Sequence, residues 1–204
     1  MSQIRTRLVL TRIPDSWRWA RTDILVRLLP FVLAYAAAHR LSGGAAWLGW
    51  SVGDVRAQLL FAAVGVPVMF VAAMAVQLWL TRRRGVLGVP AGLDDAAFQA
   101  GYYVVNGPIE EAFFRGLVQG GIGAAWGAPA GFVIGTVSYV LYHRLGRWSW
   151  AETFATALVG VPLGIAFWVL PGPPSLLGVS LVHIAATCGF LGPGPYLLRK
   201  LNLL

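Results

Sequence analysis

Apolar residues gather in six long runs along this chain of 204 residues, roughly 24–46, 57–80, 96–120, 127–148, 150–170 and 175–195. Each run is close to the ~20 residues an α-helix needs to cross a bilayer. Helix breakers separate most of them: Ser42-Gly43-Gly44, Gly120-Gly121 and Pro171-Gly172-Pro173-Pro174. The fourth and fifth runs nearly touch at Arg147 and Trp148, which asks for a tight turn. The pattern predicts an all-α polytopic membrane helix bundle with about six transmembrane helices over residues 23–204. Ahead of it, residues 1–22 are basic and partly amphipathic. They predict an interfacial segment with Trp17 and Trp19 at the lipid headgroups. The pattern shows no internal repeat, low-complexity tract or second domain.

Composition strengthens the membrane reading. The chain is 57% hydrophobic and 12% charged, whereas a soluble domain is about half apolar and about a quarter charged. Nine Trp fit a chain with two membrane–water interfaces. A net charge of +8 could suggest nucleic acid, but the basic residues sit at the ends of apolar runs, away from any stacking aromatic cluster. They read instead as topology signals and contacts to anionic lipid. Six basic residues precede residue 28, three occupy 82–84, and Arg144, Arg147, Arg199 and Lys200 follow. The alternate loops carry only Arg40 and Arg56. The positive-inside rule then places both termini in the cytoplasm. Fifteen Arg against one Lys suggest a GC-rich genome and thus a bacterial inner membrane. The Arg-rich start lacks the short apolar core and small-residue site of a cleaved signal peptide. The one cysteine, Cys188, excludes an internal disulfide and reads as a small buried side chain.

Against this background the stretch "NGPIEEAFFRGL", residues 106–117, stands out. An ionised carboxylate at mid-membrane costs about 2.5–3.5 kcal/mol even on the lenient insertion scale, and here two are adjacent. Residues four apart share a helix face, so Glu111 and Arg115 can pair. Glu110 points about 100° away, and another helix must satisfy it. "VSYVLYHRL" puts Tyr139 and His143 four apart, and "SLVHIAATC" does the same for His183 and Thr187. If all three pairs face one interior, they build a single wet, ionisable pocket. Trp148 and Trp150 mark an interface, which leaves His143 about 7 Å below it. His39, beside Arg40 near the end of the first run, reads as interfacial.

Such a set suits hydrolysis. A buried carboxylate can take a proton from water, an imidazole can hold that water, and a second His with a hydroxyl one turn on can serve the oxyanion. The chain has neither a nucleophile elbow nor a His-Glu-x-x-His motif. A metal held by Glu110, His143 and His183 stays open, since two His and one carboxylate form a known zinc set.

In that order and context, Glu-Glu-x-x-x-Arg, aromatic-x-x-x-His and His-x-x-x-Thr over residues 95–195 resemble the CPBP family of intramembrane proteases, which includes the type II CAAX prenyl endopeptidases. The resemblance implies an intramembrane glutamic endopeptidase that needs no cofactor, with zinc the less favoured option. It implies Glu110 as the residue activating water and His143 as its partner. Glu111 and Arg115 would be a supporting pair and Tyr139 the aromatic, with His183 and Thr187 as oxyanion donors. Thr187 stands where the family usually has Asn or Asp. The implied partners are the bilayer and a membrane-embedded or membrane-anchored protein or peptide, processed for maturation or sorting; nucleic acid is not among them. Two other readings use the same residues: a catalytically weakened membrane scaffold or immunity protein, motivated by Thr187, and a small proton-coupled transporter.

Overall fold

The computed structural model describes residues 6–204. Helix α1 (Ile13–Asp23) starts at Ile13-Pro14, where a proline loses no intrahelical bond. It runs through a π-helical turn, Ile24–Leu28, straight into α2 (Leu29–Leu41). The result is one apolar rod of 29 residues. Residues 13–22 of the expected interfacial segment are helical and continue into the first long helix, since nothing between Asp15 and Leu29 breaks it. Just before it, strand β1 (Arg7–Thr11) pairs in parallel with β2 (Val86–Pro90), Arg7 opposite Val86 and Thr11 opposite Pro90. Residues 1–5 of the expected interfacial segment lie outside the described residues.

Helix α3 (Val55–Arg84) is capped by Asp54, whose side chain accepts from the Ala57 N–H at 3.0 Å. It ends with Arg82, Arg83 and Arg84 in its last turn and Gly85 at φ 71°, a conformation glycine adopts without strain. Helix α4 (Leu93–Glu111) passes into a π-helical stretch, Ala112–Gly120, and then α5 (Gly121–Trp126). The chain reverses into α6 (Ala128–Tyr142), which closes in a 3₁₀ turn, His143–Gly146. A capping box of Ser149 and Glu152 starts α7 (Trp150–Ala155), followed by α8 (Ala157–Val169). Helices α9 (Leu177–Phe190) and α10 (Pro193–Lys200) meet at a 44° bend.

All six apolar runs therefore lie on helices, and the all-α membrane bundle is borne out. Among the described residues, three helices are long and apolar enough to cross a bilayer: Ile13–Leu41, Val55–Arg84 and Trp150–Val169. The bent pair α9–α10 can make a fourth. The other two runs lie on helices that carry the polar cluster or are short: α4 with its π-helical continuation, and α6 with 15 residues. Burial is inverted relative to a soluble protein. Val26 and Val64 are 72% and 66% exposed on the outside, while Glu111 and Arg115 are fully buried. Lipid accepts the first arrangement, and the second keeps charge away from it.

Helix α9 packs along α3 so closely that a Cβ on Gly189 would lie 2.2 Å from the Phe70 carbonyl. Ala62 of α3, Leu163 and Phe167 of α8 and Val179 and Val182 of α9 form the main apolar core. That packing fixes the face of α9 next to Val182, which is where His183 sits.

Candidate active site

Glu110 and Glu111 end the regular part of α4, one residue before the backbone loosens into the π-helical stretch. π-Helical insertions are common at functional sites because they re-aim side chains. Glu111 accepts from Arg115 Nε at 3.2 Å through one oxygen and from His183 Nδ1 at 2.7 Å through the other. The rest of the Arg115 guanidinium lies over the Tyr139 ring, 4.9 Å from its centroid. A glycine, Gly160, backs that ring: a Cβ there would be 2.7 Å from Tyr139 Cδ1. The pairing of Glu111 with Arg115 expected from spacing is present, and the structure adds His183 to it.

Glu110, 3% exposed, faces the other way. Its Oε2 lies 3.6 Å from His183 Nε2, and Tyr139 Oη is 3.4 Å from the same nitrogen. Its Oε1 pairs with Arg27 of the π-helical turn in the first long helix. Arg27 also donates to Tyr142 Oη at 2.9 Å, to Asn106 Oδ1 at 2.5 Å, and to both oxygens of Asp23 at 2.8 and 2.5 Å. The helix that was to satisfy Glu110 is thus α9 for one oxygen and the first long helix for the other.

His143 opens the 3₁₀ turn after α6, and its Nδ1 lies 2.8 Å from the Tyr139 carbonyl. A carbonyl only accepts, so that nitrogen carries the proton and a neutral ring leaves Nε2 as the acceptor. Arg147, at φ 63°, folds the chain back so that the Trp148 ring lies 4.9 Å from that of His143. Helix α6 thus ends at Tyr142, and the tryptophan caps the imidazole. His39 packs against Trp50 at the far end of α2.

Glu110, Tyr139, His143, His183 and Thr187 all line one cavity of about 1140 Å³, which reaches Thr11 and Gly88 of the small sheet. Of the three polar pairs read from the sequence, Tyr139/His143 and His183/Thr187 line this cavity, and Glu111 and Arg115 lie outside its lining. Thr187 makes no side-chain hydrogen bond among the described residues. Sequence reasoning missed Arg27, Asp23, Asn106 and Tyr142. Arg27 looked like one more cytoplasmic topology residue, yet Asp23 and Arg27 are four apart beside an apolar run, the spacing of a helical ion pair.

Among the described residues no three His, Cys, Asp or Glu side chains converge to hold a metal ion. Glu110, His143 and His183 line the same cavity, and Nδ1 of each histidine is engaged by Glu111 or the Tyr139 carbonyl, which leaves Nε2 of each to act as an acceptor or ligand.

The fold and site are those of an integral membrane helix bundle with an ionisable interior. Residues 92–188 match the family model of the Rce1-like type II CAAX prenyl endopeptidases, and the resemblance read from the sequence is borne out over that segment. Comparison with curated proteins and with solved structures finds no match.

Proposed function

We propose that this protein is an intramembrane glutamic endopeptidase in which Glu110 activates a water. The carrying observation is a buried Glu110 on a cavity that His143, His183 and Thr187 also line. Glu110 takes a proton from water as the oxygen attacks the peptide carbonyl carbon. His143 Nε2 accepts the water's second hydrogen bond. With Nδ1 given to Glu111, a proton on His183 Nε2 makes the ring an imidazolium neutralised by Glu110 and Glu111 together. That N–H then faces the developing oxyanion, with the Thr187 hydroxyl as a second donor. The Glu111–Arg115 pair holds His183 and does not touch substrate. No step requires a metal.

The substrate is a membrane-embedded or membrane-anchored protein or peptide, entering from lipid or from the cytoplasmic side, and the protein sits in a bacterial inner membrane with both termini inside. Residues 1–22 act as its interfacial start and residues 95–195 as its protease core. The short Thr187 hydroxyl favours one second reading, a membrane scaffold or immunity protein that keeps the site but cleaves poorly. The test compares protein termini in membranes of the native host carrying wild type or Glu110→Gln. Ends that vanish in the variant support proteolysis; unchanged ends, with the variant folded and present, favour the scaffold.

A further inference from the structure

We infer that Arg27 is a catalytic residue of this site, an oxyanion donor that takes up negative charge from the substrate as Glu110 gives its own charge up. The inference rests on the glutamate-water reading above.

Three observations carry it. The Arg27 side chain is 23% exposed and Glu110, with which it pairs through Nη1, is 4% exposed. Both residues line the cavity, so the guanidinium is beside the carboxylate where a substrate carbonyl must come. Second, its position does not depend on Glu110. Asp23 holds it with two hydrogen bonds, from Nε at 2.8 Å and Nη2 at 2.5 Å, and Asn106 accepts from Nη2 at 2.5 Å. A guanidinium clamped in this way stays in place when its fourth partner changes, which is the pre-organisation an oxyanion site needs. Third, Thr187 supplies only one short donor to the same cavity and has no side-chain partner among the described residues.

The charge movement follows from the reaction. As the water oxygen bonds to the carbonyl carbon, its proton passes to Glu110 and the C=O π pair moves onto the carbonyl oxygen. Glu110 is then neutral and the substrate oxygen is anionic, so the cluster's total charge is unchanged and one negative charge has moved into the cavity. The Nη1 N–H that Glu110 accepts in the resting site then passes to the new oxyanion beside it. When the C–N bond breaks, the oxygen's electron pair re-forms the carbonyl, the leaving nitrogen takes the proton from Glu110, and Arg27 returns to its first partner. The other guanidinium, Arg115, is fully buried behind Glu111 and cannot follow the charge.

Arg27 thus supplies the donor that Thr187 provides only weakly, and this sets the test. Cleavage rates of Glu110-dependent ends are followed by pulse-chase mass spectrometry in the native host. The chains compared are wild type, Glu110→Gln, Arg27→Gln, Arg27→Lys, Thr187→Asn and Arg27→Gln with Thr187→Asn, each normalised to folded protein in the membrane. Arg27→Gln is expected to slow cleavage about 10²-fold or more, the loss typical of one oxyanion donor. Arg27→Lys keeps the charge and retains part of the rate. Thr187→Asn should recover at least tenfold in the Arg27→Gln background while changing wild type only a few-fold. A merely structural arginine would not be rescued by a donor on another helix, so failure of that rescue overturns the inference. Unchanged or faster cleavage by Arg27→Gln overturns it too, and shows an arginine that masks Glu110. If no end depends on Glu110, the proteolytic reading itself falls.

Discussion

His183 and Glu111 are joined by a 2.7 Å hydrogen bond between helices α9 and α4, and through Glu111 the imidazole is tied to a fully buried Arg115. The two adjacent glutamates consequently have different work. Glu111 faces inward and holds Arg115 and His183, whereas Glu110 faces the cavity. Removing Glu111 leaves Arg115 buried without a carboxylate and frees His183. Glu111→Ala is expected to destabilise the protein by about 3–5 kcal/mol, the range for breaking a buried pair. Glu110→Ala is expected to cost less, because Arg27 keeps Asp23, Asn106 and Tyr142. Thermal unfolding of the detergent-solubilised variants checks this, and equal midpoints for the two would contradict the division.

Tyr139 acts through its ring more than its hydroxyl. The ring carries the Arg115 guanidinium, while the hydroxyl reaches His183 Nε2 only at 3.4 Å. Tyr139→Phe should therefore leave stability within about 1 kcal/mol of wild type and lower cleavage modestly. Tyr139→Ala should cost about 3–5 kcal/mol, as large-to-small changes of buried aromatics do. Comparing the two unfolding midpoints with the cleavage rates separates ring from hydroxyl.

Gly160 is the backstop of that ring. A methyl group there would meet Tyr139 Cδ1 at 2.7 Å, so Gly160→Ala must push the ring toward Arg115 and the cavity. The expected loss is about 1–3 kcal/mol of stability from overpacking, together with reduced cleavage. A fully active, equally stable Gly160→Ala protein would show that the ring is not held from behind.

At the other end of the cavity, Thr11 ties the small sheet to α4. Its Oγ1 donates to Asp95 Oδ2 at 2.8 Å and accepts from Gln99 Nε2 at 3.2 Å. Thr11→Val leaves those groups without that partner, at a cost of about 1–3 kcal/mol. Amide hydrogen exchange at Leu8, Val9 and Leu10 should then speed up, with α3 and α9 unaffected. Unchanged protection would mean the backbone ladder to β2 suffices.

Much of the bundle was legible because apolar runs of membrane length admit few structures. The Glu111–Arg115 pair was legible because helical spacing dictates it, and the common interior of Tyr139, His143, His183 and Thr187 because polar groups in lipid must find each other. What escaped depends on tertiary contact or backbone irregularity. Arg27 and Glu110 are 83 positions apart, and no local pattern links them. Pro30 follows the first π-helical turn and Pro108 precedes the second, but a proline alone does not tell which side chains such a turn re-aims. Strands β1 and β2 are each five residues long and pair across the whole of α3, so neither reads as a sheet alone. Trp148 returns to His143 through the left-handed Arg147, which sequence periodicity cannot show.

The most direct measurement of the central claim uses purified protein in nanodiscs and a synthetic membrane-anchored peptide spanning a Glu110-dependent end found in the host. Cleavage is followed for wild type and Glu110→Gln, with and without a chelator, after both proteins are shown to unfold at similar temperatures. Wild type is predicted to cut the peptide at the same bond and to keep its rate in chelator, while Glu110→Gln falls at least 10³-fold. Cleavage by Glu110→Gln at the wild-type rate would show that this carboxylate does not activate the water. Loss of wild-type cleavage in chelator, restored by added zinc, would contradict the metal-independent mechanism.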